Sequence, residues 1–227
     1  MKSFLKIFFL IIFIVSAGYS GFHMYTEKEQ YRISENLYTD ISRDNTMPFK
    51  EIVSEGLSPP ITVDFDKLRE INPDVTAWLY CEEADINYPV VQGKDNEFYL
   101  HTMFDGTSNS AGTLFADYRC KLADPVLIIY GHNMKNGSMF GRVPSAVFDN
   151  NSILWYITPK SYSAFHLVAG RVVAEDSDIY TLAGSNDISV VSSILNTKSY
   201  DKYMILSTCS YEYDGARYIL IGGYNSQ

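Results

Sequence analysis

Cysteine is scarce in this 227-residue sequence: Cys81, Cys120 and Cys209 are an odd number without a CxxC pair. That excludes a disulfide framework and leaves room for one bridge at most. Histidine is equally thin, with His23, His101, His132 and His166 widely spaced and no HExxH or CxxC…HxxxH arrangement. No zinc site is expected from such a set. Basic residues are outnumbered 18 to 27, for a formal net charge of −9, and the first 25 residues hold two lysines and no acid, so the remainder is more acidic still. Such a body repels phosphate backbones, and nucleic acid is not an expected partner. Glycine, proline and low-complexity sequence are not in excess, and no internal repeat is visible. What is present is hydrophobic: 46% of residues, with 15% aromatics including 18 Tyr and 13 Phe. This composition excludes a disordered chain and favours strands over an all-helical bundle. The length suits one domain of roughly 150 to 170 residues plus an appendage.

The appendage is N-terminal. Residues 4–22 form an apolar run broken only by Lys6 and small or weakly polar residues, about the length a helix needs to cross a bilayer. Lys2 and Lys6 lie on one side and Glu27 and Glu29 on the other, which predicts a single-pass anchor with a cytoplasmic N-terminus. The competing reading is a cleaved secretory signal, since Val15-Ser16-Ala17 resembles a small-residue cleavage site; both readings export the body. Residues 1–25 are thus assigned to a cytoplasmic tip and anchor. Residues 26–60 are assigned to an extracellular stalk and linker, the stalk helical from the spacing of Tyr31, Leu37, Tyr38 and Ile41. Pro48, Gly56, Pro59 and Pro60 mark the linker, and the folded domain is expected over 61–227.

Within that domain a short helix is predicted over 66–72, stopped by Pro73. Strands are predicted over 75–80, 86–91, 112–115, 126–130, 153–158, 163–173, 203–208 and 217–222, where β-branched and aromatic residues alternate with turn signals. Two helical insertions are predicted over 96–101 and 188–196. Helices do not alternate with strands, so a mainly β fold is expected: a closed or sandwiched barrel of about eight strands with peripheral helices.

Three residues at strand ends carry the chemistry. Cys209 follows the apolar strand 203–208, His132 follows the strand 126–130, and Arg217 opens the next strand across a hairpin from Cys209. Two of them have an ordinary reading: a buried small hydrophobe for the cysteine, and a surface salt bridge with Glu212 or Asp214 for the arginine. Together they offer a thiolate nucleophile, a proton carrier and an oxyanion donor. Cys81, among Glu82, Glu83 and Asp85, and Cys120 lack this setting and are read as structural. A papain-like peptidase is disfavoured because there the cysteine precedes the histidine. A P-loop is disfavoured because 131–138 lacks the Lys-Ser/Thr step. A non-catalytic surface-binding module and a cell-surface cysteine peptidase stay open as alternatives.

Over residues 66–224 the sequence resembles the class B sortases, cysteine transpeptidases of Gram-positive cell surfaces. The resemblance is carried by Asn72-Pro73-Asp74-Val75-Thr76-Ala77-Trp78-Leu79, Ile86-Asn87-Tyr88-Pro89-Val90-Val91-Gln92-Gly93, Tyr130-Gly131-His132-Asn133-Met134, and Leu206-Ser207-Thr208-Cys209-Ser210-Tyr211 with Arg217. It implies a sortase-type barrel and a catalytic trio of His132, Cys209 and Arg217. It also implies a signal-peptide groove lined by Asn96, Leu100, Tyr130, Ser207 and Thr208. The implied reaction is cleavage of a C-terminal sorting signal of NPxTN or PxTG type after Thr, through a thioester. The implied partners are surface proteins bearing that signal and the amine of a peptidoglycan precursor or cross-bridge, and no cofactor is required. Ser210 stands where some members have an acidic residue, which bears on signal preference. The helix at 188–196 agrees with an insertion typical of class B.

Overall fold

In the computed structural model, residues 2–49, 57–121, 123–149 and 151–225 are described. Eight strands close into a barrel: β3 (Val75–Cys81), β4 (Ile86–Val91), β5 (Leu114–Ala116), β6 (Val126–Tyr130), β7 (Ile153–Ile157), β8 (Tyr162–Ala174), β9 (Lys202–Cys209) and β10 (Ala216–Tyr224). Their order around the barrel is β10-β8-β7-β3-β4-β5-β6-β9. The pairs β4–β5 and β6–β9 are parallel and the others antiparallel. The closed mixed barrel agrees with the fold expected from the strand pattern, and closure removes the exposed edges that an open sheet would present. Trp78, Phe104, Phe140 and Phe165 are among the large side chains buried completely in its core.

The predicted helices shift modestly. The one expected at 66–72 is α2 (Phe65–Ile71), capped by the Asp64 carboxylate, which accepts the Lys67 backbone N–H, and it buries Phe65 and Leu68. The one expected at 96–101 shortens to a 3-10 turn, Phe98–Leu100, preceded by an Asp95 whose Oδ1 accepts the Glu97 and Phe98 N–H groups. The one expected at 188–196 is α3 (Ile188–Leu195), with Val191 and Leu195 buried; the side chain of Ile188 lies outside the described residues.

The N-terminal segment departs from expectation more strongly. A single helix, α1 (Lys2–Asn45), runs through both the predicted anchor and the predicted stalk, about 66 Å at 1.5 Å per residue. Its first half, Phe4 through Tyr25, exposes every large apolar side chain. Its second half docks on the barrel. Ser34, Tyr38, Ile41 and Asn45 are buried at helical spacing, the Tyr38 hydroxyl donates to the Gly112 carbonyl, and Asn87 Nδ2 donates to Ser42 Oγ at 2.8 Å. The expectation that residues 26–60 stand clear of the folded unit is therefore corrected: an aromatic and an aliphatic side chain on one face found a partner surface. The strands β1 (Thr46–Pro48) and β2 (Ile61–Val63) then pair antiparallel, so the folded unit begins well before residue 61. Part of the predicted linker, 50–56, lies outside the described residues.

Candidate active site

The parallel pairing of β6 with β9 puts the C-terminal ends of both strands at one rim, with Tyr130 opposite Ser207. His132 leaves β6 two residues later, and Cys209 closes β9. Gly131 makes the turn possible, since its N–H donates to the Ser207 carbonyl at 3.2 Å and a Cβ there would stand 2.4 Å from Leu114 Cδ2. Strand β10 returns antiparallel, with Arg217 directly opposite Cys209. One groove of about 540 Å³ is lined by all eight residues singled out in the sequence: His132, Cys209, Arg217, Asn96, Leu100, Tyr130, Ser207 and Thr208. Phe115, Gly131, Glu175 and Tyr180 complete the lining.

The His132 ring is half-buried, and its Nε2 lies 2.8 Å from the Leu100 carbonyl. A carbonyl only accepts, so Nε2 carries a proton and Nδ1 is the nitrogen left for exchange. Burial lowers the pKa of this imidazole; the Leu100 carbonyl opposes the shift and His101, stacked at 5.9 Å, adds to it. The neutral ring is therefore favoured at neutral pH. Arg217 donates from Nη2 to Glu175 Oε2 at 2.7 Å and from Nη1 to the Ala216 carbonyl at 3.0 Å. The salt bridge expected with Glu212 or Asp214 thus forms instead with Glu175, because the β8–β10 register sets Ala174 against Ala216 and places Glu175 beside the hairpin. All three cysteines are free thiols, and Cys209 is more exposed than the buried Cys81 and Cys120. Burial first, then Glu83, pushes the Cys81 thiol up to about 12, and burial raises Cys120 as well; neither suits a nucleophile.

Behind the groove lies a network the sequence reading missed. Asp117 is fully buried, and its carboxylate accepts from Arg119 Nε and Nη2 at 2.9 and 2.7 Å, from the Tyr130 hydroxyl at 2.9 Å and from Asn96 Nδ2 at 3.0 Å. Burial would raise this carboxyl, but the Arg119 guanidinium and backbone N–H, with Tyr130 and Asn96, hold it below the ordinary carboxylate range. Asn96 and Tyr130 therefore spend these polar groups on the groove wall. The Asn96 carbonyl is also taken, by the Tyr118 N–H. Ser207 shares a hydrogen bond of 2.8 Å with the Tyr180 hydroxyl. Thr208 differs: its buried hydroxyl has no partner among the described residues. Asp117-Tyr118-Arg119, an acid and an arginine two apart after a strand, was a signal available in the sequence; Glu175 and Tyr180 offered none.

No family model matches the chain. It is 32% identical over 134 residues to sortase B of Listeria monocytogenes, an alignment covering 57% of this chain and half of that protein's length. It is 27% identical to sortase B of Staphylococcus aureus over 94% of this chain and 92% of that protein. The crystal structure of Clostridium perfringens sortase B superposes with a TM-score of 0.63 at 25% identity, covering 72% of this chain and the whole of that one. The barrel and these similarities agree with the resemblance read from the His132 and Cys209 segments: the chain is similar in sequence and in fold to the sortase B proteins.

Proposed function

We propose that the chain is a cysteine transpeptidase acting on a C-terminal sorting signal of NPxTN or PxTG type. The observation that supports it is the convergence of Cys209, His132 and Arg217 on one groove from three strands, with the Thr208 hydroxyl unpartnered beside the cysteine. In the reactive form Cys209 is a thiolate and His132 an imidazolium, a pair whose protonation is a joint property. The Cys209 Sγ attacks the carbonyl carbon of the signal threonine. Arg217 donates to the resulting oxyanion. His132 passes its proton to the leaving amide nitrogen as the C–N bond breaks, leaving a thioester. An amine of a peptidoglycan precursor or cross-bridge then attacks the thioester, giving its proton to His132 and returning the electron pair to Sγ.

The apolar residues 4–22 are read as a single-pass anchor with the N-terminus in the cytoplasm and the barrel outside. Supporting this, α1 is long and apolar enough to cross a membrane, and its apolar half is wholly exposed. Surface proteins bearing the signal are the expected acyl donors. The catalytic reading is tested by incubating the full chain with a sorting-signal peptide and trapping the acyl-enzyme by intact mass. The parent is expected to gain the mass of the N-terminal fragment and Cys209→Ala to gain none and release no fragment; cleavage by that variant at the parent rate would sink the assignment.

A further inference from the structure

The docked half of α1 holds the barrel at a fixed distance from the apolar run. Its contacts with the barrel follow one another along the helix. Glu27 Oε1 lies 3.6 Å from Lys135 Nζ, and the Gln30 backbone carbonyl accepts from Asn109 Nδ2 at 3.0 Å. Further on, the Tyr38 hydroxyl donates to the Gly112 carbonyl and Ser42 Oγ accepts from Asn87 Nδ2 at 2.8 Å. The first of these contacts is the one nearest the apolar run. That run ends at Phe22, and α1 continues past it without a break, so Glu27 stands about 8 Å beyond it at 1.5 Å per residue. The polar layer of a bilayer is itself only about 5–8 Å deep on each side of the hydrocarbon core.

The part of the barrel that meets α1 at this level is the catalytic rim: His23, Thr26 and Glu27 border one groove with His132, Cys209 and Tyr211. Tyr211, in the loop from β9 to β10, is 74% exposed, and Tyr213 in the same loop is half-exposed. Tyr25, one residue from Thr26 on α1, is also exposed. A phenol ring has an apolar body and a polar tip, and such rings are enriched where membrane meets water. The Tyr211 hydroxyl reaches the Asn133 carbonyl only at 3.4 Å, a long bond that water or a lipid headgroup can replace. Net charge supplies no attraction here. Lys135 pairs with Glu27 and Arg32 with Glu29, and the loop adds Glu212, which accepts from the Ser210 hydroxyl, and Asp214.

We propose that the loop from β9 to β10 is a second membrane contact, in which Tyr211 seats in the interfacial layer of a phospholipid bilayer and Cys209 is held at headgroup level. The inference rests on the reading of residues 4–22 as a membrane anchor. Residues 26–45 are then a strut that lays the catalytic rim against the membrane, where a free stalk would carry it away.

The test reconstitutes the full chain into phosphatidylcholine vesicles containing phosphatidylcholine with a nitroxide on its headgroup, which quenches tryptophan at interfacial depth. The parent emission, from the buried Trp78 and Trp155, is subtracted. Tyr211→Trp is expected to lose most of its added emission to the nitroxide. Met47→Trp is expected to lose none, because Met47 is exposed just past the end of α1 at Asn45, about 35 Å along the helix from Phe22. Both positions are exposed, so neither substitution disturbs the core. The quenching of Tyr211→Trp should persist at high salt, since the contact is aromatic and not ionic. Quenching of Tyr211→Trp no greater than that of Met47→Trp, or quenching abolished by salt, would overturn the proposed contact. Vesicles that float free of the chain would instead overturn the anchor reading beneath it.

Discussion

Arg217 is held from two directions, by Glu175 at the end of the neighbouring strand β8 and by the carbonyl of its own neighbour Ala216. These bonds fix the plane of the guanidinium over the groove while leaving its other N–H groups for a ligand. A lysine at this position keeps the charge but has a single ammonium, which cannot make both fixing bonds and still point at an oxyanion. Arg217→Lys is expected to lower kcat on a sorting-signal peptide by about 10 to 100-fold, with KM changed much less. Steady-state kinetics on the purified variant check this. Turnover equal to the parent would remove the oxyanion role and leave Arg217 as the partner of Glu175 alone.

At the scale of elements, the docked half of α1 bears on the histidine through a short relay. Tyr38 donates to the carbonyl of Gly112, and its hydroxyl lies 3.1 Å from Thr113 Oγ1. Gly112 has φ +58°, and a Cβ there would stand 2.4 Å from the Tyr99 carbonyl oxygen and 2.6 Å from that of Leu100. The Leu100 carbonyl in turn accepts from His132. Only glycine allows the 112 backbone to lie so close, and the helix presses on it from outside. Tyr38→Phe removes a buried donor and leaves acceptors unsatisfied, at a cost of about 1–3 kcal/mol. Denaturant unfolding should show a lower midpoint, and turnover should fall as the Leu100 carbonyl loosens. An unchanged midpoint would mean that water replaces the Tyr38 hydroxyl at no cost.

For the molecule as a whole, α1 joins two environments without a break: an exposed apolar half and a half buried on the barrel. The two halves separate in a simple truncation series. A chain beginning at Tyr25 loses the exposed apolar run and keeps the docked face, so it should be soluble and melt close to the parent. A chain beginning at Thr46 loses Tyr38 and Ile41 from the core, each contributing about 1.5–3 kcal/mol of burial. Its thermal midpoint should fall by at least about 6 °C for a domain of this size. Equal midpoints for the two chains would show that the docked helix adds nothing to the folded unit.

Much of this molecule was legible in order along the chain. The bounds of β4 and β6 match the strands read from β-branched and aromatic runs, and the closed barrel follows from eight such runs with few helices between them. The order of His132 before Cys209, each after an apolar strand, pointed to the pair, because strand alternation and turn residues act over a few positions. The partners that orient the site are remote: Glu175 lies 42 positions from Arg217, Tyr180 lies 27 from Ser207, and Tyr38 lies 74 from Gly112. Such contacts depend on strand register, barrel closure and which face of α1 meets the barrel. No local periodicity encodes them, so only the tertiary structure decided that α1 lies along a groove bordered by His132 and Cys209 and that Glu175 holds the arginine.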